Sequence, residues 1–367
     1  MPAPRSRSMF GEQVVDAALT EVLAAVGNDV NDDLVRALLV TALDMDQANI
    51  DRLELKIASQ ALVEMLDSWK VFSLARTWPK VTVFGSARTQ PDDPAYRQAS
   101  ELGRIMAERG WMTITGAGPG IMTAAMSGAG RDHSFGVNIV LPFEQRANDI
   151  IHGDPKLAEF KYFFTRKLSF MKESDAFVLC PGGFGTLDEA FELLTLVQTG
   201  KSYPVPVVLL DPPGSTYWSG WRSFVEAELL GGGMISPADL HIFTHTHDPA
   251  EAAQEVCAFY SCYHSLRYVG KRLVLRLQQQ LSEESLALLN KEFADIVVEG
   301  EIEPIEVTKA ERRDDDHVEL PRLALRFNQR SYARLVVLVH RINELADRPL
   351  DPVHDLVHDV TPEPDPA

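Results

Sequence analysis

The sequence predicts an α/β protein: a doubly wound parallel sheet of Rossmann-like type, with an N-terminal helical segment and a small C-terminal α+β module. Three observations carry this. Between residues 80 and 260, short runs that are apolar throughout alternate with helical stretches; glycine-bearing turns follow three of those runs; and the flanking segments have a different period. Strands that are apolar on both faces and joined by crossover helices specify a parallel sheet covered on each side.

Residues 12–70 carry Val14, Val15, Ala18, Leu19, Val22 and Leu23, then Leu34, Leu38, Leu39 and Leu43, and later Leu53, Leu55, Ile57, Leu62 and Leu66. This three-to-four spacing predicts three or more helices, broken near 27–29 and 44–49. The strand-like runs that follow are VTVFG (81–85), MTITG (112–116), FGVNIVLP (135–142), AFVLC (176–180), VPVVLLD (205–211) and HIFTHT (241–246). Helices are expected near 94–109, 119–129, 163–173, 187–199 and 216–229, and after Asp248. Beyond them RLVLRL (272–277), a helical stretch, VVEGEIEPIEV, LPRLALRFN (320–328) and a last helix give a β-α-β-β-α order. The expected division is residues 1–78, helical; 79–262, the nucleotide-binding sheet domain; 263–348, the α+β module; and 349–367, an acidic, proline-rich tail expected to be disordered.

The chain has 367 residues, 45% of them hydrophobic and 24% charged, as in an ordinary soluble protein. Its 53 acidic against 35 basic residues give a formal charge of −18. That balance argues against nucleic acid as a partner, because such surfaces cluster positive charge. Cys180, Cys257 and Cys262 show no CxxC spacing, which fits a reducing compartment. The start MPAPRSRSMFGEQ has no apolar run of signal-peptide length, and no later run is long enough for a membrane helix. A cytoplasmic protein without membrane association is expected.

In an open parallel sheet, ligands bind beyond the carboxyl ends of the strands, near the point where strand order reverses. Three turns belong there: Gly85-Ser86-Ala87-Arg88, GAGPG with Gly116, Gly118 and Gly120, and PGGFGT with Pro181, Gly182, Gly183, Gly185 and Thr186. A dinucleotide fingerprint would need glycine at 121, where the chain has Ile121, so the nicotinamide reading is weak. For any one glycine a tight turn is explanation enough; three such turns on one rim ask for more. In PGGFGT, glycines let backbone N–H groups converge on an anion at a helix start, and Thr186 adds a hydroxyl. No GKS or GKT follows, so a monophosphate is the natural occupant.

Glu189 raises a difficulty, since a carboxylate beside a phosphate repels it. Thr186-Leu187-Asp188-Glu189 fits the T-x-x-E capping box, and a catalytic carboxylate fits as well. Upstream, Arg166 and Lys167 lie amid Phe163, Phe164, Leu168, Phe170 and Met171. They read either as a solvated basic pair or as partners of a phosphate or carboxylate.

With these residues together, residues 80–257 resemble the LONELY GUY (LOG) family, once described as lysine decarboxylases, whose members release a free base from nucleoside 5′-monophosphates. The P-G-G-x-G-T-x-x-E pattern falls on Pro181, Gly182, Gly183, Gly185, Thr186 and Glu189, and the upstream Arg-Lys pair on Arg166 and Lys167. GSAR, TGAGPGIM, NIVLPFEQ and LTLVQTGK are similar to its longer-chain branch. The resemblance implies that residues 181–186 hold the 5′-phosphate and that Arg166 and Glu189 act on the ribosyl bond. It also implies that Ser86, Arg88 and the 116–120 turn line the nucleotide cleft, with Glu144 a further ribose contact. It implies hydrolysis of AMP or a cytokinin riboside 5′-monophosphate without metal or cofactor, in a homodimer or larger homo-oligomer.

Two other classes stay in view: a nucleotide-binding sensor without turnover, and a pyridoxal-phosphate decarboxylase. His241, His245 and His247 fall within seven residues, but no cysteine or well-spaced carboxylate accompanies them, so no metal site is expected. His354 and His358 lie in the tail, and Cys180 reads as a small buried hydrophobe.

Overall fold

A computed structural model of the chain describes residues 13–27, 31–140 and 146–346. It divides into two compact units, one ending at Val63 and the other beginning at Glu64. The first holds α1 (Gln13–Val26), α2 (Asp32–Gln47) and the start of α3 (Arg52–Phe72). The breaks are where the sequence puts them, with Gly27 and Asn49 both at positive φ. Arg36 of α2 reaches the Asp16 carboxylate of α1 at 3.3 Å.

The second unit opens with the rest of α3 and continues as β1 (Lys80–Phe84), α4 (Pro94–Glu108), β2 (Met112–Thr115), α5 (Ile121–Ala129), β3 (Ser134–Ile139) and β4 (Leu157–Phe160). Then come α6 (Phe163–Glu173), β5 (Ala176–Leu179), α7 (Phe184–Thr199), β6 (Val207–Leu210), α8 (Tyr217–Phe224), β7 (Thr244–Thr246) and α9 (Pro249–Ala258). The seven strands form one parallel sheet in the order β4-β3-β2-β1-β5-β6-β7. Residues of β1, β2, β5 and β6 are buried along their whole length, as continuous apolar runs require. The chain moves outward from β1 in one direction through β2, β3 and β4, then returns to pair β5 with the other side of β1, Val81 opposite Ala176. The topological switch therefore lies between β1 and β5, whose carboxyl ends carry the 85–88 and 181–186 turns.

A four-stranded antiparallel sheet completes the chain: β8 (Tyr263–Val269), β9 (Arg272–Leu277), α10 (Glu283–Glu292), β10 (Glu303–Ile305), α11 (Lys309–Asp314), β11 (Arg322–Leu325) and α12 (Tyr332–Glu344), with strand order β10-β11-β9-β8. Asn343 of α12 fastens it to α9, accepting from the N–H groups of Cys262 and Tyr263 and donating to the Phe259 carbonyl. Glu311 of α11 is fully buried between the guanidinium groups of Arg276 of β9 and Arg322 of β11, at 3.0 and 3.1 Å.

The sequence reading needs four corrections here. β4 was not expected, because LAEF offers no β-branched residue and no run beyond four. The 241–246 run starts as a 3₁₀ turn, Pro237–His241, and only Thr244–Thr246 pairs with β6. β8 was missed, although it alternates and hairpins onto β9 through Gly270 at φ 58°. α11 falls in the stretch between VVEGEIEPIEV and LPRLALRFN to which the sequence assigns no element, yet its Thr308–Glu311 spacing forms a complete capping box.

Candidate active site

Ser86, just past β1, pins three turns together. Its N–H donates to the Pro181 carbonyl and its own carbonyl accepts from the Ile121 N–H, both at 3.0 Å. The GSAR, GAGPG and PGGFGT turns are thereby drawn onto one rim. Gly120 has φ 68°, and a Cβ there would run into the Ser86–Ala87 backbone, so this position accepts only glycine.

Below the rim is a cleft of about 1110 Å³. Gly85, Ser86, Arg88, Gly116, Arg166, Pro181, Gly182, Gly183, Gly185, Thr186 and Glu189 line it. Gly118 and Gly120, in the turn that Ser86 holds, do not line it, and neither does Lys167, which meets the cleft residues Asp188 and Glu189. Glu144 lies outside the described residues. Phe84, Met122 and Phe163 give the cleft apolar surface, and Ser215 and Tyr217 close it on the β6 side. The Tyr217 hydroxyl donates to the Gly182 carbonyl at 2.7 Å, bracing the glycine loop from outside.

Helix α7 begins at Phe184 with Gly183 as its N-cap residue, and no side chain caps it. Thr186 is therefore the third residue of the helix, its N–H already bonded to the Gly183 carbonyl at 3.1 Å. The capping box between Thr186 and Glu189 does not form: a residue inside the first turn cannot be the cap. The N–H groups of Phe184 and Gly185, ahead of Thr186, take no partner from the helix, and this dipole end faces the cleft.

Glu189, one turn further along and 6% exposed, turns its carboxylate toward Lys167 at 3.2 Å. Burial pushes this carboxyl above its usual range, with the charges of Lys167 and Arg166 pulling it back. Lys167 also meets Asp188 at 2.9 Å and Glu192 at 2.6 Å. Burial disfavours its charge, but Glu192, Asp188 and Glu189 outweigh that and push it up to about 12. It stays an ammonium at any ordinary pH, clamped among three carboxylates of α7.

Arg166 is seated by its own carbonyl partner and by its helix. Its Nε donates to the Val137 carbonyl at 2.9 Å, and the guanidinium lies over the Phe170 ring, 5.2 Å from the centroid. Burial lowers its pKa against the pull of Glu189, so a charge is held here partly desolvated. The start of α6 is fixed by Glu64, a buried carboxylate of α3 that accepts from Lys161 N–H at 3.0 Å and the Thr165 hydroxyl at 2.6 Å. Neither Glu64 nor Tyr217 was singled out in the sequence. Each lies more than thirty residues from the group it holds, and no local spacing signals it.

Residues 120–256 match the family described as "Possible lysine decarboxylase". Over 143 residues the chain is 33% identical to the cytokinin riboside 5′-monophosphate phosphoribohydrolase of Mycobacterium tuberculosis, covering 38% of this chain and 73% of that protein. This chain is a LOG family member. The LOG1 phosphoribohydrolase of Arabidopsis thaliana is 31% identical over 169 residues, covering 44% of this chain and 75% of that one. A solved structure of the molybdenum cofactor binding protein from Rippkaea orientalis aligns with 48% of this chain and 94% of its own, at 20% identity and a TM-score of 0.35. Among the described residues of this LOG chain, no helix is long and apolar enough to cross a membrane.

Proposed function

We propose that this LOG family chain hydrolyses the N-glycosidic bond of nucleoside 5′-monophosphates, AMP or a cytokinin riboside 5′-monophosphate among them, to free base and ribose 5-phosphate. One observation carries the reading: an uncapped, glycine-rich helix start and a buried carboxylate one turn along the same helix share a single cleft with Arg166. An anion cradle alone would fit any phosphate. The added carboxylate suits a reaction that develops positive charge beside the phosphate.

In this reading residues 181–186 and the α7 start hold the 5′-phosphate, and Ser86 and Arg88 flank the nucleotide. Phe84, Met122 and Phe163 supply apolar surface for a base. As the bond to the base breaks, its electron pair leaves with the base, and the ribose carbon takes on positive charge that Glu189 stabilises. The oxygen of a water molecule attaches to that carbon, Glu189 receives its proton, and that proton passes on to the departing base, which leaves neutral and returns Glu189 to its carboxylate form. Arg166 helps keep Glu189 ionised against burial, and Lys167 positions it rather than touching substrate. The likeness to relatives that are phosphoribohydrolases by name supports an N-glycosyl hydrolase. A homodimer or larger homo-oligomer also belongs to the proposal, which light scattering tests; Phe163, Phe164 and Leu168 of α6 are 53%, 55% and 45% exposed.

The test is a panel of AMP, GMP, CMP, UMP and isopentenyl-AMP assayed for free base. Release in the wild type and its collapse in Glu189→Gln are expected. No release from any substrate, or an undiminished rate in the variant, overturns the proposal.

A further inference from the structure

The histidine cluster set aside in the sequence for want of a carboxylate acquires one in the fold. Leu209 of β6 pairs with His245 of β7, and Leu210 with Thr246. Side chains alternate along a strand, so Asp211 and His247, one step beyond the paired residues, project from the same face as His245. The Asp211 Oδ1 lies 2.9 Å from His245 Nε2 and 2.8 Å from His247 Nδ1. The three ligand atoms lie within 4.8 Å of one another. His241 takes no part: it ends the 3₁₀ turn and is exposed.

We propose that Asp211, His245 and His247 form a binding site for one divalent transition-metal ion of the zinc class, at the carboxyl ends of β6 and β7 and outside the cleft. Two imidazoles and one carboxylate are the donor set that such ions favour, with a fourth position left for water. A tetrahedral ion with bonds of about 2.0–2.1 Å needs ligand atoms about 3.3 Å apart. The carboxylate–imidazole separations are 2.8 and 2.9 Å and the two imidazole nitrogens lie within 4.8 Å of each other, so rotation of the side chains has to bring the three atoms around an ion, which would replace the 3.0 Å contact of His247 Nδ1 with the Asp211 carbonyl.

The surroundings are those of a held site. Asp211 is fully buried, and its Oδ2 accepts from the Trp218 N–H at 3.3 Å, which leaves Oδ1 directed at the histidines. Gln98 of α4 donates to the carbonyls of both Asp211 and His247, fixing the two strand ends to each other. Such outer contacts orient metal ligands. His247, with 46% of its side chain exposed, provides the route in. Because Asp211 leads directly into Pro212, Ser215 and Tyr217 of the cleft wall, the ion would stiffen the segment that braces Gly182.

The experiment uses the full chain, stripped with a chelator and dialysed, then titrated with Zn²⁺ against a chromophoric competitor and with Co²⁺ by visible absorption. One tight equivalent is expected, with a Co²⁺ spectrum of four-coordinate intensity and a rise in melting temperature on binding. His245→Ala and His247→Ala should each weaken that equivalent by about 100-fold or more, Asp211→Asn likewise, and His241→Ala not at all. His247 is exposed, so its variant should fold even if Asp211→Asn does not. Absence of a saturable equivalent in the wild type overturns the proposal, and so does one that survives in His245→Ala/His247→Ala. None of these readouts depends on nucleotide hydrolysis.

Discussion

Gly116→Ala isolates the placement of Arg166 from its chemistry. Gly116 has no positive φ, so alanine suits its backbone, and no functional group is added or removed. The new methyl would fall on Nη2 of Arg166 and would stand 2.8 Å from the sulfur of Met122. Ordinary contact begins near 3.4 Å, so the guanidinium has to retreat by on the order of 1 Å, a displacement that typically costs about 100-fold in rate. That corresponds to about 2.8 kcal/mol, at 1.4 kcal/mol per tenfold. Retreat is resisted because Nε is tied to the Val137 carbonyl and the Phe170 ring lies against the guanidinium. The assay is free-base release from AMP at saturation, with circular dichroism and a melting curve to establish that the variant is folded. A folded Gly116→Ala protein with wild-type kcat would refute the assignment of Arg166 to the reaction.

Glu189→Gln should lower kcat by about 10²–10⁴-fold, the usual contribution of a positioned acid-base group. In the wild type the ionised carboxylate is the active form and burial raises its pKa, so the rate should climb with pH through a value above the ordinary 4.5; a pH–rate profile without that acid limb contradicts this. Tyr217→Phe removes one hydrogen bond to the Gly182 carbonyl, worth about 0.5–1.5 kcal/mol, and should reduce kcat/KM by about two- to tenfold, mostly through KM; steady-state kinetics check it. Glu311→Gln leaves the buried Arg276 and Arg322 without their shared anion and should cost about 3–5 kcal/mol in urea unfolding. Burial would raise the Glu311 carboxyl, but Thr308 and the two arginines hold it below 4.5, so its contribution is complete above that pH and fades as the pH falls through the lowered value. A wild-type chain that gains stability from pH 5 to pH 3 would oppose this.

Much of the central sheet was legible because its strands are apolar on both faces, and AFVLC and VPVVLLD cannot be read as amphipathic helices. β4 was not, since a short LAEF edge carries neither alternation nor β-branching. The two T-x-x-E stretches show where local reading stops. Thr308–Glu311 forms a capping box, whereas at Thr186–Glu189 the helix already starts at Phe184 and the same four residues lie inside it. Most of the candidate site was legible as three glycine turns, yet Arg166 and Lys167, read as a pair, part company. Successive residues on a helix point about 100° apart, so one lines the cleft and the other is held by the carboxylates of α7. Glu64, Tyr217 and the Asp211 partner of the histidines depend on long-range pairing, which no window of sequence contains.

The most direct measurement is incubation of the purified chain with AMP, with adenine and ribose 5-phosphate quantified in the same sample. Equal amounts of the two products, at a rate that collapses in Glu189→Gln, are predicted. AMP, GMP, CMP, UMP and isopentenyl-AMP all recovered intact, or base released without an equal amount of ribose 5-phosphate, would contradict the assignment.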